Sequence, residues 1–234
     1  MAALDRRIGC MDVVVTEAGL GRVEDSAVAL LDLPYRDVGE LLRATGSLEA
    51  ARTAAVRSVL PLGPDGPRLL APVARPGAVW GVGMNYRSKA RVTGRPIPAE
   101  PTLYLSASSS LGGPGGQVAH PEGCTEQLDA EGEIAVVLGA GLYRADEREA
   151  WAAVAGVTAA NDLTARDVMV QTGTPALAKS FPGCTPMGGS VLAAADVADP
   201  TAIGVRTFVD GVLPLRTTVV PLPCPARPAA LAAH

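Results

Sequence analysis

The residues best equipped for chemistry lie in one stretch, Asp129 to Gly139, which reads DAEGEIAVVLG. Three carboxylates, Asp129, Glu131 and Glu133, occupy alternate positions leading into an apolar run. In an extended chain alternate side chains share a face, so these acids face one way while Gly132, Ile134 and Val136 face the other. Like charges at the mouth of a core repel and are costly to desolvate unless a cation stands among them. Two residues of strand advance roughly 6.6 Å, so Glu131 and Glu133 can close their oxygens on one ion. A third carboxylate from another strand would complete a set of hard oxygen ligands suited to magnesium or manganese, with positions left for water or substrate. Asp162, which ends VTAAND just ahead of a helix, is the candidate. The alternative is a charged solvent face that protects an edge strand from aggregation. Spacing alone leaves both readings open.

Other chemistries are poorly supported. GVGMNY opens like a dinucleotide fingerprint, but Tyr86 stands where the third glycine belongs, so a Rossmann site is rejected. Neither the glycines of 112–116 nor Lys179-Ser180 form a phosphate loop, which needs Gly-Lys-Ser/Thr in sequence. The two histidines are His120, in a loop ahead of Pro121, and His234. Acid–base work therefore falls to carboxylate, lysine, tyrosine or metal-bound water.

The elements that must position these groups follow from periodicity and turn residues. Helical spacing is expected over 37–42 and 48–59, with Ser47 capping the second stretch. PLGPDGPRL is turn chemistry, read as a linker after an N-terminal appendage. The main domain then opens with strands over 78–84 and 102–105. SASSSLGGPGG is expected as a loop beside the ligand or solvent. A helix is expected from Asp146 to Val154 with Gly156 as its stop, then the strand VTAAND, then a helix opened at Thr164 to Asp167 with Asp167 able to cap it. IGVRTFVDGVLPLR alternates about Asp-Gly and predicts a hairpin. The domains expected are thus 1–72, 73–218 and a Pro/Ala-rich tail, 219–234, expected to be disordered.

Bulk properties frame the function. The chain has 234 residues, 48% of them hydrophobic and 19% charged, with a net charge of −4, enough for one large domain with a small addition. It has no basic block of the kind that binds nucleic acid or an anionic membrane. Four scattered cysteines and the lack of a signal-like or membrane-spanning apolar run fit a cytoplasmic protein with reduced thiols.

RPGAVWGVGMNYRSKA, EPTLYL, LDAEGEIAVVLG, AGVTAANDLTARD and LAKSFPGCTPMG occur in the order that marks the fumarylacetoacetate hydrolase family. From Pro76 to about Gly188 the chain resembles that family. The resemblance implies an α+β fold, a mixed β-roll with few helices, and a homodimer. It implies a metal-dependent enzyme acting on a small 2-oxo-acid by acylpyruvate-type C–C hydrolysis, decarboxylation or keto–enol isomerisation. It implies that Glu131, Glu133 and Asp162 hold Mg2+ or Mn2+, that Lys179 sits beside them and the substrate, and that Tyr86 and Arg166 lie near the pocket. Lys179 has an equal alternative as a structural salt bridge to the acids.

Three departures qualify this. The family's Asn-Tyr-x-x-His-x-x-Glu, whose His and Glu activate water, has Lys89 and Val92 in those places. Lys89 is then a candidate replacement base. The lysine that follows the Phe/Tyr-Leu strand is Ser106, and the proline-rich tail stands where further strands and a Gly-Thr-Pro loop are expected, as a truncation or a frameshift would produce. Without the dyad, decarboxylation or tautomerisation is favoured over hydrolysis. The alternative is a catalytically degenerate member that binds metal or a partner without turnover.

Overall fold

The structure, a computed structural model, describes residues 2–4 and 10–218. The tail 219–234, expected to be disordered, lies outside the described residues. The first part supplies β1 (Ala2–Leu4), β2 (Asp12–Thr16), β3 (Gly19–Glu24), β4 (Ala27–Leu31), α1 (Val38–Thr45), α2 (Glu49–Thr53) and β5 (Val56–Pro61). β6 (Val79–Gly83), α3 (Arg87–Thr93), β7 (Thr102–Ser106), β8 (Leu111–Gly112), β9 (Leu128–Asp129) and β10 (Gly132–Leu138) follow. The last part holds α4 (Glu147–Ala152), β11 (Val154–Asn161), β12 (Thr164–Ala165), α5 (Arg166–Thr172), α6 (Pro175–Ala178), β13 (Thr185–Pro186), β14 (Ser190–Ala193), β15 (Gly204–Val209) and β16 (Val212–Thr218).

Seven strands form one antiparallel sheet in the order β10-β11-β14-β2-β3-β4-β5. This sheet crosses the boundary expected at residue 72, because β2 hydrogen-bonds to β14 with Val13 opposite Val191. The sequence of β2, DVVVT, is buried at every position, as a central strand covered on both faces requires. Val13 and Val15 pack with Leu20, Leu31, Val191 and the helical residues Val38, Leu41 and Ala51. Val14 points the other way, onto Val28 and Leu30. Each fully buried Val or Leu contributes roughly 1.5–3 kcal/mol, so α1 is held mainly by this packing. Its N-cap is Asp37, whose Oδ1 accepts from the Glu40 amide at 2.7 Å.

Several expected elements shift. The helix expected over 48–59 stops at Thr53, and Val56–Pro61 becomes the edge strand β5, where β-branched Val56 and Val59 suit an extended backbone. The N-cap of α2 is Leu48 rather than Ser47, although Ser47 Oγ accepts from the Glu49 amide at 3.4 Å. SASSSLGGPGG is not all loop: Leu111–Gly112 pairs in parallel with Thr185–Pro186, and that parallel pair makes the fold mixed. α4 carries a full capping box between Asp146 and Glu149 but ends at Ala152. Gly156, expected as its stop, lies inside β11, where a Cβ would stand 2.5 Å from the Leu192 carbonyl oxygen. The hairpin β15–β16 forms as expected, with Asp210 and Gly211 at φ 51° and 76°, the positive pair of a two-residue turn.

Candidate active site

The site is built where the chain from 127 to 138 pairs with the chain from 154 to 166. Gly132 lies opposite Asn161 and Glu133 opposite Ala160. The ladder continues past β10, because the Asp162 amide donates to the Glu131 carbonyl at 2.8 Å and Asn161 Oδ1 accepts from the Glu131 amide at 2.9 Å. Asp129 then faces Thr164, and the Arg166 amide donates to the Gln127 carbonyl at 2.7 Å. This register brings residues distant in sequence onto one small surface.

Lys179 stands at its centre, in the residue that ends α6, with its side chain 5% exposed. Its Nζ donates to Glu131 Oε2 at 2.8 Å, Asp162 Oδ2 at 2.5 Å and Thr164 Oγ1 at 2.6 Å. An ammonium has three N–H groups, and all three are engaged. Lys89 Nζ reaches the other oxygen of Glu131, Oε1, at 3.1 Å, and Arg166 Nη2 bonds that same oxygen. Arg166 Nε donates to Asp129 Oδ2 at 2.7 Å, so its guanidinium forks across two carboxylates. Tyr86, buried at the head of α3, lies close enough to Glu133 for the two to influence each other's proton affinity.

These contacts set the proton affinities. Burial alone would raise Glu131, but Lys179, Lys89 and Arg166 hold it down at about 2. Burial pushes Glu133 up to about 7, and the nearby charges of Glu131 and Asp162 add to the push, against Lys89 and the Tyr86 hydroxyl. Tyr86 and Tyr104 are both driven upward, by burial first and then by Glu133 and Asp162 respectively. Two carboxylates a few residues apart thus differ widely in proton affinity, because the cations crowd on one of them.

The seven residues singled out from the sequence therefore meet in one network. Among the described residues no three acidic, histidine or cysteine side chains form a ready-made cage for an ion. Between Glu131 and Asp162 stands the Lys179 ammonium. The donor set still fits a hard divalent cation in kind: all donors are carboxylate oxygens, the network with Asp129 holds four carboxylates against three cations, and no described ammonium or guanidinium pairs with Glu133.

Sequence reasoning missed Tyr104 and Thr164. Tyr104 lies in β7 and donates to Asp162 Oδ2 at 2.6 Å. The signal was cross-strand: Gly81 faces Tyr104 in the β6–β7 pair, and a Cβ there would fall 2.0 Å from the ring. The glycine of GVG makes room for an aromatic ring rather than for a cofactor. Asp167, expected to cap α5, is tied elsewhere. The N-cap is Ala165, and Asp167 accepts from Thr125 Oγ1 and, at 2.9 Å, from the Glu126 amide. Val92 is 77% exposed on α3, and His120 is exposed in its loop. Ser106 is buried.

A family model described as "Fumarylacetoacetate (FAA) hydrolase C-terminal" matches residues 78–221. The chain belongs to the fumarylacetoacetate hydrolase family. A 2,4-didehydro-3-deoxy-L-rhamnonate hydrolase of Sphingomonas is 35% identical over 166 residues, covering 70% of this chain and 58% of its own. A human mitochondrial oxaloacetate tautomerase is 33% identical over 181 residues, covering 76% of this chain and 57% of its own. Among solved structures, a putative HpcE protein from Mycobacterium smegmatis superposes with a TM-score of 0.75 at 27% identity, covering 88% of this chain and 75% of that one. The chain spans 56–66% of the length of the curated relatives it matches. Among the described residues no helix is long and apolar enough to cross a membrane.

Proposed function

We propose that this family member is a divalent-metal-dependent enzyme acting on a small 2-oxo-acid, by decarboxylation or keto–enol isomerisation in preference to acylpyruvate-type hydrolysis. The observation that carries the reading is the convergence of Lys179, Lys89, Arg166 and Tyr86 on Glu131, Glu133 and Asp162. Relatives named as an oxaloacetate tautomerase and a sugar-acid hydrolase support the substrate class.

Glu131, Glu133 and Asp162 would hold Mg2+ or Mn2+. When bound, such an ion polarises the substrate carbonyl and offsets the charge that develops on its oxygen. The protein's own groups do the rest. Arg166 and Lys89, 32% and 36% exposed, have N–H groups left over to bind the substrate carboxylate. Lys179 has none free, so it neutralises and holds the acids rather than shuttling a proton. Lys89, the solvent-accessible ammonium, gives a proton from Nζ to the enolate carbon, formed in decarboxylation as the C–C bond breaks and CO2 leaves, or in isomerisation as the enol O–H proton passes to water, and is reprotonated from solvent. Tyr86 lines the site beside Glu133. The homodimer belongs to the same reading, supported by exposed apolar rows on the β6–β7 sheet, where Trp80 faces Leu105 and Val82 faces Leu103.

A second reading, metal or partner binding without turnover, is favoured by one observation: α3 carries no acid–base dyad, and its Val92 points to solvent. Calorimetric titration with magnesium or manganese, followed by turnover of oxaloacetate and an acylpyruvate, separates the two. Turnover dependent on the ion supports the enzyme. Binding without turnover leaves the second reading, and no binding removes the metal from both.

A further inference from the structure

We infer that Tyr104 is a positioning residue that divides the labour of the Asp162 carboxylate, anchoring one oxygen to the protein and leaving the other for a bound cation. The inference rests on the metal site proposed above and goes beyond it by giving a role to a side chain outside the expected ligand set.

Asp162 Oδ2 accepts two hydrogen bonds, from the Tyr104 hydroxyl at 2.6 Å and from Lys179 Nζ at 2.5 Å. Among the described residues no donor reaches Oδ1. A carboxylate held through one oxygen by two donors from different elements cannot turn about its terminal bond without breaking both. Tyr104 is fixed in turn. Its ring fills the space left by Gly81 on the paired strand, and the Lys179 ammonium lies 5.6 Å from the ring centroid, within range of attraction to its face. The ring thus faces the cation while its hydroxyl bonds the anion, and the ion pair sits beside a side chain with little freedom of its own.

The hydroxyl has a different job from the ring. The ring fills space and faces the ammonium, so its loss harms packing. The hydroxyl adds nothing to packing that phenylalanine would not, but it supplies one of the two donors that orient Asp162. Partners that orient a ligating group in this way typically change metal affinity or activity about 10–100-fold when removed.

The test is Tyr104→Phe, with Gly81→Ala as a second variant that displaces the ring from the opposite strand. Calorimetry with magnesium alone, on the substrate-free protein, should show affinity falling about tenfold or more in Tyr104→Phe. kcat on oxaloacetate should fall in parallel, and KM should change little, because Arg166 and Lys89 are untouched. Thermal unfolding of Tyr104→Phe should stay cooperative, with Tm lowered by about 3–12 °C for one lost hydrogen bond to a charged group, so that affinity is measured on folded protein. Magnesium affinity within twofold of the wild type in a folded Tyr104→Phe protein overturns the inference and leaves the metal site standing. A wild-type protein that takes up no magnesium overturns the metal site, and this inference with it.

Discussion

Replacing Lys179 with methionine tests the central electrostatic claim. The substitution keeps much of the side chain's bulk and deletes an ammonium that is 5% exposed and bonded to Glu131 and Asp162, themselves 12% and 11% exposed. Removing one partner of a buried pair costs about 3–5 kcal/mol, because the other charge is left without compensation. Glu131 retains Lys89 and Arg166, and Asp162 retains the Tyr104 hydroxyl, so the lower end, about 3 kcal/mol, is expected. For a chain of this size that corresponds to a fall in Tm of about 6–12 °C. The assay is far-UV circular dichroism melting at pH 7 and pH 4. Acid should narrow the gap between variant and wild type, because the stranded carboxylates of the variant can take up protons as pH falls toward about 4. Millimolar magnesium at pH 7 should also narrow it, since a cation can then replace the missing ammonium. A fall of less than about 2 °C, unchanged by pH and by magnesium, would refute the view that this lysine neutralises the acids.

Two further outcomes concern the frame around the site. Asp37→Ala should lower stability by about 1 kcal/mol or somewhat more, since Asp37 caps α1 and its Oδ2 also accepts from the Ala74 amide at 3.0 Å; urea unfolding midpoints measure this. Asp196 gives a pH signature. Against the upward push of burial, the Met11 amide and Arg52 hold its carboxyl below the ordinary range. Its contribution is therefore fully present above the unfolded-state value near pH 4 and lost as pH falls through the depressed value. Asp196→Asn should be destabilised in urea at pH 7 and converge on the wild type at the lowest pH at which both remain folded. A gap that stays constant across that range would show that the ion pair does not supply it.

Much of the site could be read from residue types alone. Alternation in DAEGE places acids together because a strand's period is two, and the residue order identifies the family without coordinates. The hairpin at Asp210-Gly211 was equally legible, because two successive positive φ angles are encoded in that dipeptide. The helical pattern over 48–59 misled because local spacing could not register that Val56–Val59 would find β4 as a partner; sheet pairing outweighed propensity. Gly81 gives nothing away until the strand opposite it is known. The sequence by itself determined which groups are available: four carboxylates, two lysines, an arginine and Tyr86. Only the tertiary structure decided how they share charge. Three cations fall on Glu131 and none pairs with Glu133 among the described residues, which leaves one acid at about 2 and the other at about 7. That division depends on distances of a few ångströms between residues 35 to 48 positions apart in the chain, which no local pattern records.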